Sequence, residues 1–560
     1  MTKENLRDAI GNISEKNIER FLRKDDILKQ KVKKQKKSIK EIALRAVAAC
    51  LCLLIIGGSV FLIHGGYKHS IPSDGTTDIG TTDAITSPDS ESYTLFDTEA
   101  FRSKYSGGAV NILCWDSTMP EFEISAEESQ SGDIVKEAIY KRNSSTEKEL
   151  GISLIFNQQD DDSGKAASIL QYVKTQLAEE KTFDVISLYS RTVGILTMQG
   201  LLLPLNYTKE YLNLDNPWYP KSIKEDTSIK GNTYYVAGDV STNVIYSTYA
   251  FIFNKDILSE DSSVGYTADS LYTLVKEQKW TVEEMYKLVG SYWKDLDGDE
   301  KKSRSDGFGF RSYNYHMDAL CFGVGFDMLV IDNDATEADM LLTLSPDYTG
   351  QRAIDFVDYI GKLMTSNTAL NDESCAKNFS AGNDISFLSR IRDIEKLTST
   401  EGQNMDYGIL PAPKYDTAQP GYRSYVGADC SLWGISSSQA DDYDRKAMSA
   451  AVIETMGYYS MQYTTTAIFN DLFPNQNVYD NTNDKDNFIL IKETSSIGAD
   501  RIFIRTMSFY IGGEIMGTYA AKGADYGKYT SSLKAHYRQA IEDASKTLFE
   551  LSKTFPPSDE

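Results

Sequence analysis

Histidine is scarce in this chain: four in 560 residues, alongside six cysteines. His64 and His69 stand beside an apolar stretch, which leaves His316 and His536 for any folded body. That argues against a His-rich zinc centre or a histidine-based hydrolase. Cys50 and Cys52 begin the apolar stretch. Cys114, Cys321, Cys375 and Cys430 are scattered with no CxxC pair, and read as isolated buried thiols or, alternatively, as containing one disulfide. GxSxG, HExxH and a phosphate-binding glycine loop are all missing. Positive charge is lacking overall: the net charge is −23. Residues 1–45 hold 14 Lys+Arg against 7 Asp+Glu, a balance of +7 that leaves −30 for the rest. A surface so acidic repels DNA and RNA, so a nucleic-acid partner is not expected.

What is present points to a large folded body. Apolar residues at 41% and 35 tyrosines exclude wholesale disorder, and the length implies two or more folded units. Residues 46–63, AVAACLCLLIIGGSVFLI, form an eighteen-residue run without a charge. A bilayer needs about 17–25 such residues. KQKVKKQKKSIKEIALR precedes the run and only Lys68 follows closely, so the positive-inside rule predicts a cytoplasmic N-terminus and an extracellular bulk. Val47-Ala48-Ala49-Cys50 resembles a lipoprotein cleavage box. Its cysteine precedes most of the apolar run, however, which favours an uncleaved signal anchor in the cell membrane over lipid attachment. Residues 1–45 read as a basic cytoplasmic stem, or alternatively as a docking segment for a cytoplasmic partner. Residues 64–105, rich in Ser, Thr, Asp and Gly up to about Thr94, read as a flexible extracellular linker.

From residue 106 onward strands and helices alternate. Residues 109–114 are strand-like and end at Trp115 and Asp116; a helix capped by Asp133 runs to Leu150 and stops at Gly151. After a strand at 153–156, Ala166, Ile169, Leu170, Val173 and Leu177 form one helical stripe. The next strand runs to Leu188, followed by a polar turn, Tyr189-Ser190-Arg191-Thr192, and a helix to Gly200. Repeated strand–helix units predict a parallel sheet whose strand ends share one rim, where ligands bind in open α/β folds. Thr281 and Glu284 form a capping-box pair, with Trp280 packing beneath their helix.

Five phrases in order carry a resemblance: FDVISLYSRTVGILTMQGLLLPL, STYAFIFNKDIL, KWTVEEMYKLV, FSAGNDISFLSRI and MDYGILPAPKYD. Together they are similar to the family 1 extracellular solute-binding proteins of ABC importers, of the maltodextrin-binding kind, over residues 106–560. The resemblance implies an α/β fold of the two-lobe periplasmic-binding-protein type (type II), preceded here by the transmembrane helix. Lobe one would take about 106–245 and 425–480, and lobe two about 246–424 and 481–560, with a solute held in the interlobe cleft. Sugars are the commonest cargo, held by aromatic faces and a few polar groups.

The resemblance assigns the rim residues Tyr189, Ser190 and Arg191 to the ligand. Trp115 and Asp116 occupy an equivalent rim, and Ser389 and Arg390 end the matched second-lobe strand. Asp239, Tyr425 and Trp433 are further candidates. Each has a plainer reading: an aromatic that packs, an arginine that pairs with a carboxylate, a tryptophan in the core.

DLDGDEKKSRSDGF has the register of a calcium loop. Asp295, Asp297 and Asp299 hold positions 1, 3 and 5, Lys301 offers a carbonyl at 7 and Asp306 falls at 12, while Glu300 replaces the usual glycine at 6. No other cofactor is expected. The expected function is membrane-tethered capture of an extracellular carbohydrate for an ABC importer by hinge closure, without catalysis. The alternatives are a tethered sensor that signals to a cytoplasmic partner, or an extracellular glycosidase using two carboxylates.

Overall fold

The computed structural model describes residues 93–556 apart from 116–123, 125–132, 163, 180–181, 315, 338, 395–396, 398–404, 474–481 and 499–513. The stem, the apolar run and most of the linker lie outside the described residues, as does Asp116. Among the described residues no helix is long and apolar enough to cross a membrane.

In chain order the strands begin with β1 (Ala109–Trp115), β2 (Ser153–Gln159), β3 (Val185–Tyr189), β4 (Leu202–Leu203) and β5 (Tyr249–Asn254). Next come β6 (Trp293–Lys294), β7 (Gly307–Phe308), β8 (Phe310–Ser312), β9 (Leu329–Ile331), β10 (Leu342–Leu344) and β11 (Ala369–Asn371). The chain continues with β12 (Ser386–Arg390), β13 (Tyr407–Leu410), β14 (Ser424–Tyr425), β15 (Ser431–Ser436) and β16 (Ser495–Ser496).

Two five-stranded sheets organise the fold, ordered β2-β1-β3-β15-β4 and β11-β8-β12-β5-β13. In the first, β1 runs parallel to β2 and β3, while β15 returns antiparallel between β3 and β4. In the second, β8 is parallel to β11 and β12, and β5 runs antiparallel between β12 and β13. Every residue of β3, β5 and β15 is buried, as expected of strands covered on both faces, which cannot show polar alternation.

Local signals set the helices of the first half. Asp133 caps the helix Ile134–Leu150, accepting the Lys136 N–H at 3.0 Å, and Gly151 ends it in the left-handed region at φ 66°. The helix Ala166–Ala178 buries Ala166, Ile169, Leu170 and Val173. Trp280 is fully buried, donating Nε1–H to the Pro411 carbonyl at 3.0 Å, with its ring edge-on to Phe251. Thr281 caps its helix by accepting the Glu284 N–H, but the reciprocal half of the expected box is replaced. The Glu284 carboxylate accepts from Tyr266 and Lys287, each at 2.8 Å.

The chain passes between the sheets through the helix Thr242–Ser247, which leads into β5, and through residues 426–430, which join β14 to β15. These crossings are bound to each other by a Thr248–Val426 bridge, and β14 pairs with β16. An apolar cluster runs through the junction. It joins Val135 and Ile139 of the first half to Ile245 and Tyr246 of a crossing and to Ile252, Phe387 and Ile409 of the second sheet. Cys114, Cys321, Cys375 and Cys430 are all buried.

Candidate functional site

The first sheet ends its parallel strands at one rim. There Trp115 and Tyr189 lie edge to face, with ring centroids 5.5 Å apart. Trp115 donates its indole N–H to Ser431 Oγ at 2.6 Å. Ser431 is also held by Asn243, whose side-chain oxygen accepts the Ser431 N–H at 3.0 Å. Ser241 Oγ bonds the Ser431 carbonyl and accepts the Trp433 indole N–H at 2.5 Å. Trp433 is wholly buried in the sheet at this point.

Sequence reasoning placed a polar turn after β3; the structure has none. Ser190, Arg191 and Thr192 form the first turn of the helix Ser190–Met198. The reason is Asp161, just beyond β2. Its carboxyl oxygens accept the Tyr189 N–H at 3.2 Å and the Thr192 hydroxyl at 2.9 Å, satisfying donors at the helix N-terminus. Burial raises the Asp161 carboxyl to about 7, against these stabilising hydrogen bonds. Ser190 turns to the crossing segment: its hydroxyl donates to the Ala428 carbonyl at 2.6 Å, and its N–H to the Cys430 carbonyl at 2.9 Å. Arg191 is buried beside it.

The second sheet contributes the ends of β12, β8 and the start of β5. Ser389 is fully buried; its hydroxyl donates to Asp393 at 2.6 Å and lies 3.3 Å from His316 Nδ1. Cys375 Sγ is 3.7 Å from the same nitrogen, and burial pushes its thiol up to about 12, so it stays protonated. The Tyr249 ring stacks on Tyr425 at 5.5 Å and meets His316 edge-on. Arg390 reaches Asp429 on the crossing segment at 3.0 Å, and Arg392 shares the same carboxylate oxygen at 2.5 Å. Arg392 also donates to Ser247 Oγ, which in turn donates to the Asp429 carbonyl. Both crossings are thereby fastened to the tip of β12.

The structure brings Trp115, Tyr189, Ser190 and Arg191 to one tip, and Ser389, Arg390 and Tyr425 to the other. Asp239 lies elsewhere. It pairs with Lys492 at 2.8 Å beside a cavity of about 10 Å³, room for one water, lined by Val244, Ile391 and Phe488. Burial raises the Asp239 carboxyl, opposed by the Lys492 charge.

Several site-forming residues escaped the sequence reading: Asp161, Asn243, Ser247, His316, Arg392, Asp393, Asp429 and Ser431. Asp161 had a usable signal, since Asp160-Asp161-Asp162 follow a parallel strand just as Trp115 and Tyr189 end theirs. The others are set by the sheet order.

The acidic loop closes the β6–β7 hairpin. One carboxylate oxygen from each of Asp295, Asp297 and Asp299 lies within 4.8 Å of the other two. Asp295 accepts the N–H groups of Gly298 and Glu300, and Asp299 that of Lys301. Glu300 adopts φ 56°, the left-handed conformation that glycine would take more cheaply. Asp306 is buried outside the trio, accepting the Ser303 N–H at 2.7 Å and the Leu296 N–H at 3.3 Å.

No protein-family model matches the chain, and no curated protein sequence matches it. Solved structures do resemble it. The sugar-binding protein MalE of Xanthomonas citri is 12% identical, covering 80% of this chain and 98% of that one with a TM-score of 0.47. The cyclic α-maltosyl-1,6-maltose binding protein of Arthrobacter globiformis is 10% identical, covering 80% of this chain and 100% of that one, also at 0.47. UgpB of Mycobacterium tuberculosis, solved with glycerophosphocholine, is 14% identical over 78% of this chain and 99% of that one, at 0.46.

Proposed function

We propose that the chain is a non-catalytic solute-binding protein that captures a carbohydrate outside the cell and hands it to an ABC importer. Residues 46–63 would tether it to the membrane. The reading rests on the five family-like phrases in order. Its main structural support is that two sheets, linked by crossing segments, gather aromatic and charged strand tips at their junction: Trp115 and Tyr189 from one, Tyr249, Ser389 and Arg390 from the other. Aromatic faces offer stacking surfaces for sugar rings, and arginine and hydroxyl groups match sugar hydroxyls. In the described arrangement Trp115, Tyr189, Arg191 and Ser389 are each at most 8% exposed. Entry of a solute therefore requires the halves to part, by hinge motion at the crossings.

We further propose that the Asp295, Asp297 and Asp299 loop takes calcium as a structural ion. Hard carboxylate oxygens converge there, although Asp306 is engaged by backbone N–H groups instead of joining them.

A thermal-shift screen of the purified protein against sugars, amino acids and peptides tests the main reading. An oligosaccharide should raise the melting temperature and be recovered intact. Shortened products would instead identify a glycosidase. Tyr189→Ala and Arg191→Ala should each weaken that ligand by about tenfold or more, a change of about 1.4 kcal/mol; unchanged affinity would remove these residues from the site.

A further inference from the structure

We propose that Lys230 is a latch that holds the two halves in the arrangement with buried strand tips, and so regulates access to the site. This rests on the reading that the halves part to admit a solute.

Lys230 occupies a turn that belongs to the first half: Ile229 and Asn232 bond each other, Leu205 N–H donates to the Thr233 carbonyl, and Val236 pairs with Trp433 of β15. Its backbone has φ 52°, followed by Gly231 at 81°. A residue with a Cβ enters that region at a cost, so surrounding contacts must hold it there. The contacts come from the β9–β10 loop of the second half. The Lys230 N–H donates to Asn333 Oδ1 at 2.6 Å, and its ammonium donates to the carbonyls of Asn333 at 2.6 Å and Ala335 at 2.7 Å. One residue thus makes three hydrogen bonds across the boundary, away from the crossing segments.

The long helix Tyr526–Thr554 reinforces the same point. Near its start, Tyr526 donates to the Tyr348 carbonyl at 2.9 Å, and further along Ser545 Oγ accepts the Leu342 N–H of β10, both in the second half. Just past its end, the Phe555 carbonyl accepts from Asn232 at 2.5 Å, and the Phe555 ring meets Tyr234, both in the first half. Lys553 pairs with Glu337 of the β9–β10 loop. A rotation that separates these elements would break these contacts, and their strength would then bias the population of open molecules.

Hydrogen exchange of the full chain without added solute tests the latch. Lys230→Ala removes the ammonium and burdens the turn with strain; Lys230→Gly removes the ammonium while suiting the positive φ. In both, amides at 188–191 and 388–392 should exchange about tenfold faster, while 250–253 and 432–435 keep their wild-type rates. Unchanged tips in both variants would overturn the proposal. So would equal acceleration of tips and strand interiors, because the contact would then serve overall stability alone. Neither result depends on a ligand, whereas the binding reading fails separately if no solute raises the melting temperature.

Discussion

Arg390 and Asp429 meet where the second sheet ends and the chain returns to the first, guanidinium Nη1 to carboxylate Oδ2 at 3.0 Å. Arg392 takes the same oxygen and also bonds Ser247 on the other crossing. One carboxylate therefore fastens the tip of β12 to two of the segments about which the halves would turn.

Replacing that carboxylate should loosen the junction. Asp429 is about one-third exposed at 33%, so the cost falls below that of a fully buried pair. Asp429→Asn should destabilise the protein by about 1–2 kcal/mol in urea denaturation. A double-mutant cycle with Arg392→Met should show that part of this cost is shared; strict additivity would mean that the two side chains do not interact.

Three buried carboxyls give stability a defined pH dependence. Burial raises Asp161 and Glu454 to about 7 and Asp384 to about 6. Their folded values exceed the unfolded ones, so the folded protein holds more protons between these limits. The resulting stability is fully present below about pH 4 and is lost as pH rises through 6 and 7. Each proton contributes a slope of at most about 1.4 kcal/mol per pH unit. Asp161→Asn should make stability fall less steeply from pH 5 to pH 8, measured by denaturation at both; an unaltered slope would show that Asp161 does not titrate in this range.

Two buried tryptophans should separate packing from binding. Trp280 lies beneath its helix, remote from the strand tips, whereas Trp115 shares a rim with Tyr189. Trp280→Ala should cost about 3–5 kcal/mol of stability. Any solute found should still bind the folded fraction with unchanged affinity. Trp115→Ala should reduce that affinity at least as strongly as Tyr189→Ala, as read by titration calorimetry.

Calcium gives a further check. Millimolar calcium should evolve or absorb heat with the wild-type protein and raise its melting temperature, and Asp297→Ala should abolish both effects. Absence of heat with the wild type would leave Asp295, Asp297 and Asp299 as a solvated turn.

Much of the local structure was legible because its causes lie within a few residues. Asp133 and Gly151 bound their helix as cap and stop, and the burial of Ala166, Ile169, Leu170 and Val173 follows from their helical spacing. The turn after β3 was misread because its cause is 28 positions earlier, in the Asp161 carboxylate that starts the helix at Ser190. The same residue could have been flagged as the end of a parallel strand.

The sequence by itself determined alternating elements and buried strands, since composition and short-range periodicity suffice for these. Tertiary structure alone decided which side chains meet. Trp115 and Ser431 stand 316 positions apart, and Arg390 and Asp429 are separated by 39; both contacts depend on strand order and on where the chain crosses between sheets. Those long-range contacts form only when the sheets assemble, and no short segment carries their geometry.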